Sequence, residues 1–241
     1  MDKTFISRAT KITSFNFTAG DFTSLKYKKE IQYLFNLHFF PKFNLNKTTS
    51  SFNLTTVNSL INSLKSEDKS MFEKLHNYNL KGIGPGEVTL YFLIDTAHLG
   101  GGTSAGVDVK IGSKGYEVKA VKVSKDKMAS DFKLGGTVPL TDIIEDLFKL
   151  NTKLKLAGKK TEMSGGIMDT MREKAPAEFK SIENRFKDIA YNSYFKNHEV
   201  IFINNGSGPN FGNIEAVKKI SKNEIFIERV TSGTVKPKVK L

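Results

Sequence analysis

The spacing of apolar residues predicts a mainly helical N-terminal part followed by a longer part in which helices and strands mix. An extended or loop-like segment at Thr4–Thr23 precedes a helix at Leu25–Phe39. Two short helices follow at Val57–Leu64 and Ser66–Tyr78, where apolar residues recur at helical spacing. Residues 1–80 are therefore predicted to form a helical or extended arm or subdomain.

After residue 80 the pattern changes to alternating helices and strands. The loop Gly82–Gly86 leads into Glu87–His98, which is apolar on nearly every face and predicts a buried helix. Two runs with period-two alternation flank a glycine-containing turn and predict a β-hairpin. The predicted elements from this hairpin onward are strands Val107–Ile111 and Tyr116–Val123, a basic loop, helix Leu140–Leu154, a Gly/Ser-rich connector at Ser164–Gly166, helix Ala177–Phe195, strand Glu199–Ile203, a hairpin of Ile214–Ile220 with Glu224–Val230, and an edge strand or flexible tail at Lys236–Lys240. This order predicts an α/β fold with a mixed sheet flanked by helices.

The first hairpin carries the candidate chemistry. If Gly112 pairs with Gly115, then Lys110 lies opposite Glu117 and Asp108 lies opposite Lys119. Asp108, Glu117 and Lys119 then project from one face, with the two acids as diagonal neighbours about 7–8 Å apart. A slip of one residue would move Asp108 to the other face.

Two carboxylates on one face are suited to a hard cation. Carboxylate oxygens completed by water or a backbone carbonyl are the ligands that Mg²⁺ or Mn²⁺ prefers. Such a cation polarises a phosphodiester, and the ammonium of Lys119 can orient the attacking water or offset developing charge. The alternative is a solvated hairpin face with ordinary cross-strand ion pairs.

The segment resembles the PD-(D/E)xK nuclease superfamily, whose core is a helix, a hairpin bearing Asp and Glu-x-Lys, and then a helix and a strand. The matching positions are Asp108 and Glu117-Val118-Lys119, with Val107 where the family pattern has proline. Some branches carry a Glu on the preceding helix, and Glu87 fits that position, although a local role at the helix N-terminus is the alternative. The resemblance implies a restriction-endonuclease-like core at 81–205 with a helical insertion at about 124–175. Residues 206–241 then form a C-terminal β-hairpin and basic tail.

Composition adds a basic surface and excludes other chemistries. The chain has 37 Lys+Arg, 25 Asp+Glu and no cysteine, which excludes thiolate catalysis, disulfides and cysteine-bound zinc. Only four of the bases are Arg, which favours backbone contacts with DNA over base readout. The longest apolar run, Tyr91–Ile94, is too short to span a bilayer, and Met1–Thr10 predicts no secretory signal. The candidate DNA-binding residues are Lys110, Lys122, Lys125, Lys127 and Lys133.

These observations lead us to expect a metal-dependent deoxyribonuclease, endo- or exonucleolytic, with catalytic residues Asp108, Glu117, Lys119 and Glu87. Asp108, Glu117 and Glu87 are the expected metal ligands, Mg²⁺ or Mn²⁺ the cofactor, and DNA the partner. The resemblance and the composition indicate a cytoplasmic phage or mobile-element protein. The alternative is a phage virion or assembly protein that uses this fold with or without catalysis and forms a homo-oligomer or contacts virion subunits. A third interpretation is a basic nucleic-acid-binding module without metal chemistry.

Overall fold

The computed structural model describes residues 17–78, 80–100, 107–134 and 140–241. Within them the α-helices are α1 Lys28–His38, α2 Leu54–Glu67, α3 Lys69–His76, α4 Glu87–Leu93, α5 Thr141–Lys153, α6 Gly165–Lys174 and α7 Pro176–Ala190. The strands are β1 Ala97–Leu99, β2 Val109–Ile111, β3 Lys114–Val123, β4 Met128–Ser130, β5 Glu199–Asn204, β6 Ile214–Lys218, β7 Ile225–Thr231 and β8 Thr234–Lys240. The fold is therefore α/β, as predicted.

Local sequence signals explain several helix starts. The side chain of Asn53 accepts from the Thr56 amide at the start of α2, and that of Asp68 accepts from Met71 at the start of α3. Ser164 caps α6 in the same way, and Pro176 occupies the first turn of α7. Each device satisfies a backbone donor, or removes one, that the helix itself cannot pair.

The strands form one eight-stranded sheet in which most pairs are antiparallel. The path β1-β2-β3-β4-β8-β7 is continuous, and β5 joins it by pairing with β3 on one side and β6 on the other. The β3–β5 pair is parallel, with Glu117 opposite Val200 and Lys119 opposite Phe202. The sheet is thus mixed, and β3 is the strand at which its parts meet.

Both faces of the central strands are buried. On one face, Val118 and Ile201 pack with α4 and the N-terminal helices. On the other face, Val121 and Phe202 pack with α5, α6 and α7. This two-sided burial explains the unbroken apolar run of β5. It also makes residues 17–78 part of a core shared with the sheet, while the predicted three-part division of the chain stays a prediction.

The predicted buried helix at Glu87–His98 is too long. Helix α4 ends at Leu93, the chain turns at Ile94, and Ala97–Leu99 forms β1 against β2. A short apolar run fits a buried helix and a buried strand equally well, so its pattern did not reveal the break. The buried ammonium of Lys28 lies at this break and donates to the carbonyls of Ile94 and Ala97 at 2.5 and 2.8 Å.

The predicted C-terminal hairpin of Ile214–Ile220 with Glu224–Val230 is wrong. Strand β6 pairs with β5, and β7 pairs with β8 through a turn at Ser232-Gly233. The segment predicted as an edge strand or flexible tail lies within β8, between β7 and β4. Alternation identifies strands, but their partners depend on contacts between distant parts of the chain.

Two further elements lie in the region predicted as loop and connector. Strand β4 follows the turn after β3, and helix α6 begins directly at the Gly/Ser-rich connector, with Ser164 as its cap. The predicted Thr4–Thr23 segment lies mostly outside the described residues, and a 3₁₀ turn spans Ala19–Phe22.

Candidate active site

The β2–β3 hairpin brings the predicted acids together through a register different from the expected one. The turn has two residues, Gly112 with φ +61° and Ser113, so that Ile111 pairs with Lys114 and Lys110 with Gly115. Asp108 lies just before β2, where its amide donates to the Tyr116 carbonyl at 3.0 Å and its carboxylate accepts from the Val118 amide on β3. The predicted pairing of Lys110 with Glu117 is therefore wrong by two residues, and Asp108 contacts Tyr116 and Val118 instead of pairing with Lys119. The two acids nevertheless lie together, because both carboxylates contact the Lys119 ammonium.

Asp108, Glu117 and Lys119 form a contiguous ionic cluster. The Lys119 Nζ lies 2.7 Å from Glu117 Oε1 and 3.8 Å from Asp108 Oδ2. Asp108 Oδ2 also accepts from the Val118 amide at 2.8 Å, which fixes its orientation against β3. One ammonium thus faces two acids. Its single positive charge does not balance two carboxylates, so the cluster can accept a further cation.

Glu87 is the third acid near the cluster. It begins α4 after the left-handed Gly86, and its side chain is almost completely buried, with only 5% of the residue exposed. Its Oε1 accepts from the Gly84 amide at 2.8 Å, so the local capping role exists. Burial, followed by the nearby Asp108 carboxylate, raises the pKa of Glu87 to about 8. Glu87 is therefore both a loop anchor and an electrostatic neighbour of the pair.

The three acids differ in how strongly they hold protons. Burial and the neighbouring Glu117 raise the pKa of Asp108 to about 6, against the opposing effect of Lys119. Burial acts in the same direction on Glu117, but the charge and hydrogen bond of Lys119 more than offset it and lower the pKa of Glu117. Glu117 is thus ionised at neutral pH, while the acids around it retain protons more readily. Perturbed carboxyl groups of this kind are typical of functional sites.

Tyr194 is a member of the cluster that the sequence did not indicate. Its hydroxyl donates to Glu117 Oε1, and its ring centroid lies 5.3 Å from Lys119 Nζ. Burial and the Glu117 carboxylate raise the pKa of the Tyr194 phenol. Tyr194 lies 77 residues after Glu117, so no local spacing connects the two.

The oxygen ligands at this site suit a hard divalent cation only if two carboxylates hold it. Across the described ranges, no group of three or more His, Asp or Glu side chains is arranged to hold a metal ion. Asp108 and Glu117 nevertheless supply oxygen donors at one place, and Mg²⁺ is commonly held by one or two carboxylates while keeping several waters. The oxygens present therefore fit Mg²⁺ or Mn²⁺, with Glu87 beside the pair.

The candidate DNA-binding lysines are not gathered around the acids. Lys110 is exposed on β2, next to the site, whereas Lys125 and Lys127 lie at the turn after β3. This turn lies about 20 Å along the strand from Glu117. Lys122 is ion-paired with Asp131 at 2.9 Å, and Lys133 is exposed after β4. These lysines therefore form two separate basic regions.

Comparison with protein-family models, curated proteins and solved structures finds no match to this chain. In the part of the chain that the structure describes, no helix has the length and apolar character needed to cross a membrane.

Proposed function

We propose that the protein is a metal-dependent deoxyribonuclease of the PD-(D/E)xK type that hydrolyses DNA phosphodiester bonds. The observation that carries the proposal is the cluster of Asp108 and Glu117 around Lys119, whose Nζ lies 2.7 Å from Glu117 Oε1 and 3.8 Å from Asp108 Oδ2. On a solvated hairpin face, Glu117 would be exposed to water. Instead, Glu117 is only 8% exposed and is buried together with its partners.

Asp108 and Glu117 would hold Mg²⁺ or Mn²⁺, with Glu87 beside them, and the cation would supply Lewis-acid activation of the scissile phosphate. In the hydrolysis, a water oxygen bonds to phosphorus and loses a proton to solvent, while the bond from phosphorus to one ester oxygen breaks and that oxygen takes up a proton from solvent. Phosphate and hydroxyl ends result. The Lys119 ammonium can orient this water or offset the charge that develops on the phosphate oxygens.

The basic charge supports a polyanionic substrate. The formal net charge is +12, and 33 of the 37 basic residues are Lys. Lysines contact phosphates as point charges and carry little information about base sequence. This composition supports binding to the DNA backbone without strong sequence preference.

The test is a cleavage assay on supercoiled, linear and branched DNA with Mg²⁺ or Mn²⁺. The variants are Glu117→Gln and Lys119→Met, with Glu199→Gln as a matched control. Glu199 also lies on the sheet and pairs with a lysine, Lys114, at 2.7 Å, but outside the acid cluster. We expect both site variants to lose at least about a hundredfold in rate, the scale of a lost charge-stabilising group.

The control variant is expected to cleave like the wild type. Wild-type protein that cleaves none of these DNAs with either metal would refute the proposal. The proposal also fails if Glu117→Gln and Glu199→Gln reduce cleavage equally, because a general loss of sheet stability would then explain the effect.

A further inference from the structure

Tyr194 lies in a single π-helical turn, Tyr191–Phe195, that extends helix α7. The Lys196 amide donates to the Tyr191 carbonyl at 2.9 Å and closes this wider turn. Phe195 is buried in the core, and its ring packs edge-on against Tyr194 with centroids 4.9 Å apart. Turns of this kind frequently occur at functional sites, because they redirect side chains at a helix end. Here the turn and Phe195 hold Tyr194 against the catalytic strand.

The contacts of Tyr194 are selective for one oxygen of Glu117. The Tyr194 hydroxyl donates to Oε1, and the Lys119 ammonium contacts the same Oε1 at 2.7 Å. The Tyr194 ring also lies 5.3 Å from that ammonium, at cation–π distance. Two donors on one oxygen fix the plane of the carboxylate and leave Oε2 to another ligand.

A purely packing role does not require the hydroxyl. A phenylalanine ring would fill the same space beside Phe195 and would still face Lys119. The hydroxyl instead adds a polar group to a largely buried position, which is favourable only when that group is hydrogen-bonded. Its partner here is the carboxylate that the proposed chemistry needs.

We propose that Tyr194 is a positioning residue that fixes Glu117 so that Oε2 is presented to the divalent cation. This inference rests on the proposed nuclease function. Groups that orient metal ligands in this way typically contribute about 10- to 100-fold to metal affinity or activity.

The main experiment measures Mn²⁺ binding by calorimetry without DNA. The proteins are the wild type, Tyr194→Phe and the control Tyr191→Phe, which alters a tyrosine of the same turn whose ring lies 5.7 Å from Lys222. For Tyr194→Phe we expect the Mn²⁺ dissociation constant to rise by at least about tenfold. The control is expected to remain within about twofold of the wild type, and thermal unfolding checks that both variants fold.

Kinetics and luminescence give independent readouts. With DNA, Tyr194→Phe should lower kcat and leave KM for DNA unchanged, because Tyr194 orients a metal ligand and does not bind substrate. The chain has seven tyrosines and no tryptophan, so Tb³⁺ bound at the site should show tyrosine-sensitised luminescence. We expect Tyr194→Phe to lose most of this emission and Tyr191→Phe to retain it.

The outcomes separate this inference from the proposed function. If the wild type binds neither Mn²⁺ nor Tb³⁺, both proposals are overturned. If the wild type binds Mn²⁺ and cleaves DNA but Tyr194→Phe binds Mn²⁺ equally well, only the role of Tyr194 is overturned. Equal losses of affinity in Tyr194→Phe and Tyr191→Phe, or wild-type Tb³⁺ bound without sensitised emission, also overturn it.

Discussion

Three carboxyl groups that lie close together hold their protons with very different strength. The Lys119 ammonium and the Tyr194 hydroxyl both contact Glu117, which stays ionised. Glu87, whose contact is the Gly84 amide, has a pKa raised to about 8 by burial. Protons on Glu87 and Asp108 reduce the repulsion that three negative charges would create. A bound cation would do the same, so proton and cation compete for this cluster.

Metal affinity should therefore depend on pH. Because the pKa of Asp108 is raised to about 6 and that of Glu87 to about 8, we expect Mn²⁺ to bind more tightly as the pH rises through this window. Between about pH 8 and pH 6, each pH unit should weaken binding by up to about tenfold, because one acid must lose its proton, and below about pH 6 by up to about a hundredfold, because both must. Calorimetry between about pH 5.5 and pH 8.5, a range that includes both pKa values, measures this dependence of Mn²⁺ affinity on pH.

The variant Glu87→Gln separates the contribution of Glu87 to this pH dependence from that of Asp108. In this variant we expect affinity to stop rising above about pH 7, because the acid with the higher pKa is gone. An affinity that is the same at all pH values in wild-type protein would contradict the assignment of these acids to the metal site.

His76 provides a separate pH effect, on stability. Its ring is buried against Phe211, its Nε2 lies 3.3 Å from Asn205 Oδ1, and burial lowers the pKa of His76 to about 4. The unfolded chain takes up this proton near pH 6.5, so it binds more protons than the folded chain between these values. The free energy of unfolding should therefore fall as the pH drops from 6.5 to 4, by roughly 3 kcal/mol from this residue.

Urea unfolding at several pH values measures the contribution of His76. His76→Gln should lose this part of the pH dependence, whereas His38→Gln, at an exposed position, should keep it. Parallel pH curves for the wild type and His76→Gln would show that another group is responsible.

At the residue scale, the sequence was sufficient to predict that the acids lie together but not to predict that Tyr194 contacts Glu117. Asp108, Glu117 and Lys119 lie within one hairpin, so their spacing alone predicted a shared face. Tyr194 reaches Glu117 only after α7 has packed on the sheet. A contact across 77 residues leaves no periodic signal in a single sequence.

Lys28 joins two elements that are distant in the chain. Its ammonium, on α1, donates to the carbonyls of Ile94, Asp95 and Ala97, where α4 ends and β1 begins. Removing the ammonium leaves these carbonyls without their buried donor. We expect Lys28→Met to lower the free energy of unfolding by about 2–4 kcal/mol.

Chemical denaturation checks this value, with Lys29→Met as the matched control. Lys29 is the next residue on α1 and is exposed, so its substitution should change stability by less than about 0.5 kcal/mol. Equal effects of the two substitutions would mean that the carbonyls find other partners when the Lys28 ammonium is missing.

At the element scale, local patterns predicted which segments form helices and strands better than how they pair. The hairpin turn was predicted, but its two residues are Gly112, with φ +61°, and Ser113, one position earlier than the predicted Ser113 and Lys114, which shifts the strand pairing by two residues. The Asn204–Asn213 connection turns β6 back onto β5. The side chain of Asn58 on α2 accepts a hydrogen bond from the Ile214 amide and donates one to the Ile214 carbonyl. Such distant contacts decide pairing, and alternation cannot reveal them.

Across the whole molecule, the positive charge should appear as a salt dependence of DNA binding. Lys125 and Lys127 are exposed at the turn after β3, in the basic region farther from the acids. If both contact phosphates, replacing them with Gln should reduce the slope of log K against log salt by about 1.8, close to 0.9 per contact.

Fluorescence anisotropy at several salt concentrations measures this slope. The control is a double variant, Lys153→Gln with Lys160→Gln, because these lysines are paired with Glu178 and Glu145 at 2.7 and 3.1 Å. An unchanged slope in the Lys125 and Lys127 variant would remove this turn from the DNA-binding surface and leave Lys110 as the predicted contact nearest the acids.

The parallel pairing of β3 with β5 also sets an order of assembly. Asp108, Glu117 and Lys119 belong to a hairpin that can close locally, within microseconds. Strand β5 and Tyr194 are synthesised roughly 80 residues later, and only they complete the burial of these side chains. A growing chain thus carries the acids well before it carries the parts that hold them in place. The complete arrangement of Asp108, Glu117, Lys119 and Tyr194 can therefore form only after β5 and Tyr194 have been synthesised.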